Sequence, residues 1–375
     1  TDPRAVRLLR LILGRWGFAG INLAHRAADA LGLLRRRTSA PARTTGRPRT
    51  AALALDLISR PIRVELPRRS FRQELALEDA TQVPILRDPS RAAEDAEAVF
   101  YFPGCGSERL FSDVGLATLA MLYRQGAQVV LPPGYLCCGY PQSASGLEAS
   151  GRRIAMDNRV LFHRVANTLN YLDIRTVIVS CGTCMDQLLQ YEFERIFPGC
   201  RLLDIHEWLM EKGVSLEPDP LDASPGASDE GTGGRGAALR YLYHDPCHTP
   251  MKTYSPVRVA SSLLGQEVRL SDRCCGEAGT LGTARPDIAN QIRFRKQEEL
   301  TQGIRDLTGQ DHADGRVKLL TACPACQQGL AKYADETGLK TDYIVVELTR
   351  RVLGDGWQRR FIDALKDGGI ERVLL

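Results

Sequence analysis

Eleven of the 375 residues are cysteine, and ten of them form two matching sets. The first is Cys105, the adjacent pair Cys137 and Cys138, then Cys181 and Cys184. The second is Cys247, the pair Cys274 and Cys275, then Cys323 and Cys326. Corresponding cysteines lie 142, 137 and 142 positions apart, so one unit is used twice. Cys200 belongs to neither set and reads as a packed or surface thiol. Disulfides fit this pattern poorly. Adjacent Cα atoms sit about 3.8 Å apart, whereas an unstrained bridge wants about 4.4–6.8 Å. A structural zinc takes four ligands, one fewer than each set offers. Five buried thiolates also carry charge, and a multi-iron cluster offsets it better than one zinc. Iron–sulfur chemistry is therefore the best fit, with zinc in one unit as the alternative. The ferredoxin run C-x2-C-x2-C-x3-C-P is absent, so a cluster here is held in another way.

The elements that must position these thiols repeat as well. The apolar runs Ala98–Phe102 and Leu239–Tyr243 read as buried strands ending just before Cys105 and Cys247. A helix follows each. Ser112 or Asp113 can cap the first and Gly126 can stop it. Ser255 caps the second, Pro256 takes its first position and Gly265 stops it. Strands Gln128–Leu131 and Glu267–Leu270 lead to the cysteine pairs. Helices Gly151–Tyr171 and Pro286–Gln302 come next, then strands Thr176–Ser180 and Val317–Thr321, which lead into Cys-x-x-Cys. A short helix, a strand and a last helix close each unit. The expected fold is α/β: two duplicated modules, each a parallel sheet flanked by helices, with the cysteines at strand C-termini. That sheet edge is where open α/β folds bind ligands. The expected organisation is a basic arm (1–50), a linker (51–95), a first module (96–212), a flexible Gly/Pro/Ser-rich linker (213–236) and a second module (237–375).

The strings YFPGC, CCGYP and CGTC, then YHDPCH, CCGEAG and CPAC, resemble the tandem cysteine-rich CCG domains. That family includes one of the subunits of heterodisulfide reductase, the one that carries paired cysteine-rich domains. It also includes the iron–sulfur subunits of glycolate oxidase, of lactate-utilisation complexes and of anaerobic glycerol-3-phosphate dehydrogenase. Similar modules end fused proteins with a flavin-dependent D-lactate-dehydrogenase-like part upstream. The likeness covers Val99 to Leu353. It implies two [4Fe-4S] clusters of the noncubane kind, one on each cysteine set, with zinc in one module as the alternative. Gly139, Gly276 and Gly279 follow the cysteine pairs, where their backbone N–H groups can face an anionic cluster. His244, His248 and Glu277 flank the second set and are candidates for proton transfer at a substrate-reducing cluster; His248 and Glu277 are the catalytic candidates. The first module carries Phe102, Gly106 and Tyr140 at those places. His206 reads as structural.

The resemblance implies an iron–sulfur electron-transfer component of an oxidoreductase. Electrons would come from a flavin-dependent 2-hydroxy-acid dehydrogenase domain or subunit, of lactate or glycolate type. They would pass a ferredoxin-type iron–sulfur domain or subunit and end on a quinone or a disulfide. The alternatives are a heterodisulfide-type thiol–disulfide reductase and a zinc-stabilised scaffold subunit. The chain has no G-x-G-x-x-G loop and no ferredoxin cysteines, so the rest of such a path lies elsewhere. It begins with Thr1, which reads as a processed or partial chain. The net charge of +4 gives no nucleic-acid signal. Residues 1–50 hold eleven Arg and two Asp, a net of +9. This arm reads as a solvated linker, or as a peripheral contact with a membrane face or a partner. No run of 18 apolar residues occurs and no signal-peptide pattern is present, so a cytoplasmic, reducing compartment is expected.

Overall fold

The computed structural model describes residues 15–31, 67–90, 96–217, 239–277, 281 and 285–375. The basic tail beyond residue 31, most of the linker between the modules and Gly279 lie outside them. The first module runs β1 (Gln82–Leu86), β2 (Ala98–Phe102), α1 (Ser112–Arg124), β3 (Gln128–Val130), α2 (Glu148–Thr168), β4 (Ile174–Val179), α3 (Gly182–Leu188), β5 (Arg201–Asp204) and α4 (Ile205–Glu211). The second repeats the pattern: β6 (Arg240–His244), α5 (Pro256–Leu264), β7 (Arg269–Ser271), α6 (Pro286–Thr308), β8 (Val317–Thr321), α7 (Pro324–Leu330), β9 (Lys340–Tyr343) and α8 (Ile344–Leu353). Helix α9 (Trp357–Lys366) and strand β10 (Ile370–Leu374) follow, and a separate helix spans Arg15–Ala30 near the N-terminus.

Both sheets share one parallel core. The order is β3-β2-β4-β5 in the first and β7-β6-β8-β9 in the second. Strands β2 and β8 are buried along their whole length. Their unbroken apolar runs suit strands covered on both faces by helices. In each core the first strand sits between the second and third. The crevice at that switch of direction opens beside the strand C-termini, where the cysteines lie.

Two segments depart from the spacing-based organisation. Residues 51–95, read as a linker, contribute β1, which pairs antiparallel with β3. Just upstream, the short helix Phe71–Glu74 is closed by a capping box between Ser70 and Gln73. The 237–375 segment is split as well: β10 leaves the second module and pairs antiparallel with β1, completing a six-stranded first sheet. One short run such as QVPIL gives too little periodicity to show this, and the sheet edge it covers is a long-range feature. Capping also differs at α1. The Ser112 hydroxyl donates to Glu108 O (3.1 Å) rather than capping, because residues 106–110 already wind into a π-helical turn ahead of it. Pro256 and Gly265 bound α5 as expected, although Ser255 makes no side-chain capping bond.

The modules share a core. The largest apolar cluster includes Met121, Trp208, Leu263, Val345 and Leu348, from α1, α4, α5 and α8. Each such buried side chain contributes on the order of 1.5–3 kcal/mol. Polar pins cross the same boundary. His206 Nε2 accepts from Val345 N (3.1 Å), its Nδ1 lies 2.5 Å from Asp204, and the ring is fully buried, which matches the structural role expected of it. Glu207 Oε1 accepts from Thr253 N (2.7 Å) and Tyr254 N (2.9 Å).

Candidate metal centres

In the first module the strand ends deliver all five cysteines to one region. Cys105 follows β2, the Cys137–Cys138 pair follows β3, and Cys181 and Cys184 bracket the start of α3. The Cys138 and Cys184 sulfurs are 3.5 Å apart, and both residues are buried. In the second module Cys275 and Cys326 stand 3.4 Å apart in the same relation. Cys323 is buried with them, Cys274 is half-buried and Cys247 is exposed. Cys200 is half-buried and packs against the apolar cluster of the first module.

The thiols hold one another's protons in alternation. The Cys105 thiol donates to Cys137, the largest influence holding Cys137 down to about 3, and Cys105 is driven up in return. Cys181 is lowered to about 6, chiefly by Cys184, which Cys138 and Cys181 push well up. In the second set Cys274 and Cys326 lower Cys275 and are themselves raised. Such a group cannot lose all its protons together unless a cation takes their place. Thiols so grouped suit a cation bound through their thiolate forms.

The backbone fits a cluster as well. Gly139 (φ 90°) and Gly276 (φ 79°) turn the chain where few side chains are tolerated. Their N–H groups lie 3.5 Å from Cys137 Sγ and 3.4 Å from Cys274 Sγ. Such bonds tune a cluster's potential. A Cβ on Gly104 would come within 2.6 Å of Cys184 Sγ, so backbone and sulfur are closely packed there.

Spacing alone did not single out several supporting residues. Tyr191 Oη donates to Cys138 O (2.8 Å), and Tyr333 Oη donates to Cys275 O (3.4 Å). These tyrosines stand 142 positions apart, each seven residues beyond the last cysteine of its set, so the repeat itself carried the signal. Asn158 Nδ2 adds a bond to Cys137 O (2.8 Å). Arg72 and Glu108, both nearly fully buried, pair at 2.9 Å behind the Cys105 loop, and Arg72 also donates to Pro132 O (2.8 Å).

The flanking polar residues have definite partners. His248 reaches across the modules: Nε2 lies 2.9 Å from Tyr140 Oη, and Nδ1 bonds the Asp186 carboxylate, which Lys252 also pairs at 2.8 Å. Asp186 was not legible in sequence, because it lies 62 positions from its partner. Glu277 is held by Lys332 and by Arg293 (3.5 Å). His244 is fully buried at the end of β6, and its ring nitrogen, Cys275 Sγ and Cys326 Sγ all lie within 4.8 Å of one another. The two centres are neighbours. Tyr343 Oη sits 2.7 Å from Ser180 O and 2.8 Å from Ala322 O, the carbonyls just before Cys181 and Cys323.

The family model of the cysteine-rich domain called CCG matches the chain twice, at residues 99–189 and 241–331. The chain carries two CCG cysteine-rich domains. A domain family of unknown function, DUF3400, matches residues 331–375. Among curated relatives, an uncharacterized iron–sulfur protein of Methanococcus maripaludis is 26% identical over 260 residues, covering 67% of this CCG chain and 45% of the relative. A CoM/CoB-dependent fumarate reductase component of Methanothermobacter marburgensis, its second subunit, is 27% identical over 246 residues, covering 64% and 42%. The probable glycolate oxidase iron–sulfur subunit of Bacillus subtilis is 24% identical over 265 residues, covering 68% and 54%. The chain thus spans about half the length of these relatives. No solved structure matches it. No helix among the described residues is long and apolar enough to cross a membrane.

Proposed function

We propose that this chain is the iron–sulfur electron-transfer part of an oxidoreductase. It would hold one [4Fe-4S] cluster on Cys105, Cys137, Cys138, Cys181 and Cys184, and another on Cys247, Cys274, Cys275, Cys323 and Cys326. The clusters would supply one-electron carriers when bound; the chain positions and insulates them. The observation that carries this reading is the shared Tyr343 hydroxyl, which holds the starts of both Cys-x-x-Cys loops at one atom. Two redox centres built that close together form a relay. The relative named as a probable glycolate oxidase iron–sulfur subunit supports a setting in 2-hydroxy-acid oxidation. In that setting electrons would arrive from a flavin-dependent dehydrogenase part, through ferredoxin-type clusters, and leave to a quinone or a disulfide. Protein purified without oxygen should be brown and carry about eight iron per chain. A colourless protein with stoichiometric zinc overturns the reading in favour of a scaffold.

Direct disulfide cleavage at the second centre has its own support. Cys247 is exposed, and the adjacent His248 is oriented by Asp186 and Tyr140. There the S–S bond would break on taking two electrons passed singly from the electron donor through the clusters, and two protons would be needed: His248 would hand one to a departing thiolate and solvent would supply the other. Glu277, fixed by Lys332 and Arg293, would hold the loop behind the cysteine pair. His248→Asn should slow disulfide reduction by about 10²-fold with iron content unchanged; an unchanged rate removes this second reading.

A further inference from the structure

His244 ends β6 where Phe102 ends β2, and both are fully buried. Phe102 needs no partner and packs on Phe162, ring centroids 5.9 Å apart. An imidazole in the same place must have its two nitrogens accounted for. Nδ1 lies 3.0 Å from Ser271 O and 3.2 Å from Lys296 Nζ. Lys296 is itself buried, and its ammonium has closer claims: Ser271 Oγ at 2.6 Å, Glu299 Oε2 at 2.8 Å and Ser271 O at 3.1 Å. Those three acceptors use the three hydrogens of an ammonium. The Nδ1 proton of His244 therefore goes to Ser271 O, and the lone pair stays on Nε2.

Nε2 is buried without a hydrogen-bond partner. A ring nitrogen of His244, Cys275 Sγ and Cys326 Sγ lie within 4.8 Å of one another, the one such trio of metal-binding side chains among the described residues; with Nδ1 engaged by Ser271 O, Nε2 is the nitrogen left to meet the sulfurs. A histidine that gives one nitrogen's proton to a backbone carbonyl and aims the other at thiolates has the usual arrangement of a metal-bound histidine.

We infer that His244 is a metal ligand, its Nε2 binding the metal centre held by Cys275 and Cys326, so that the two centres of this duplicated chain have different donor sets. This rests on the metal-centre reading above. The first centre is bound by thiolate alone. The second has an imidazole among its thiolates, with Ser271, Lys296 and Glu299 fixing the ring. A neutral imidazole in a thiolate's company leaves the centre less negative and easier to reduce, so electrons would run from the first centre to the second.

The test uses the full chain grown with 15N-labelled histidine and purified without oxygen. Pulsed paramagnetic resonance of the reduced protein should show a strongly coupled nitrogen on one centre only. His244→Cys and His244→Phe, the latter the residue of the first module, should keep the first centre's signal and lose that coupling. Where the second centre holds zinc, X-ray absorption should show one nitrogen scatterer in the wild type and none in His244→Cys. Metal-bound protein with no coupled nitrogen, or with a coupling that survives both substitutions, overturns the assignment of His244. Protein without metal at either set instead overturns the metal-centre reading itself.

Discussion

The two modules share their strand order and cysteine positions, and differ in what surrounds the sulfurs. Around the first centre a cluster of aromatic side chains packs beside the strand ends. Phe100 and Phe102 pack edge-on against Phe162 at 5.0 and 5.9 Å, each contact contributing about 0.5–1.5 kcal/mol beyond its burial. Around the second, Phe102 is replaced by His244, Gly106 by His248 and Tyr140 by Glu277. What both keep is a tyrosine hydroxyl on the carbonyl of the second paired cysteine, Tyr191 in one and Tyr333 in the other. The constant part is the scaffold that aims the sulfurs. The variable part is the set of residues flanking the sulfurs, and the imidazoles among them, His244 and His248, belong to the second module. On the proposed electron-transfer reading, one site would be insulated and the other reactive.

The sharpest way to break this comparison is to remove one buried sulfur at a time. Cys138→Ser should abolish the first centre's resonance signal and Cys275→Ser the second's, each leaving the other; loss of both together would mean the sites are not separate. Gly104→Ala comes next. A Cβ there meets Cys184 Sγ at 2.6 Å, on a backbone with φ +65° that costs a side chain about 1–2 kcal/mol. Occupancy of the first centre should fall several-fold with the second unchanged, because Pro246 stands at the matching place in the second module. A comparable effect on stability is expected at Glu108. Burial raises its carboxyl to about 6 against a usual 4.5, even with Arg72 opposing. The folded protein therefore binds this proton more tightly than the unfolded chain does. Its contribution is full at low pH and is lost as pH rises from 4.5 through about 6. The loss is on the order of 2 kcal/mol. Urea midpoints of Glu108→Gln at pH 5 and pH 7 should lack that decline. The smallest effect belongs to the tyrosines. Tyr191→Phe should cost about 1 kcal/mol and Tyr333→Phe less, since the second bond is longer, 3.4 Å against 2.8 Å. Equal losses would mean the bond lengths do not matter.

The parallel cores were legible because ten cysteines mark the same strand ends twice, and that repeat fixes which strand precedes which thiol. Strands β2, β6 and β8 fall within a residue or so of the apolar runs that suggest them. The ends of α2 and α6 shift by up to six residues, because a helix stops where its packing and its Gly309-type turn allow. The antiparallel additions β1 and β10 were not legible. Each is a short run whose partner lies nearly three hundred positions away. At the site, the ten paired cysteines and His248 stand out in local strings, whereas Asp186, Lys296 and Arg72 act through contacts that only the tertiary fold creates.

Strand β10 has a consequence for how the protein is made. The first sheet includes five residues drawn from the far side of the second module, pairing along the whole of β1. On the ribosome, the first half must wait with one sheet edge open until positions 370–374 emerge. The two halves can then close only as one cooperative unit. Shortening the chain by those residues should expose β1 as a sticky edge.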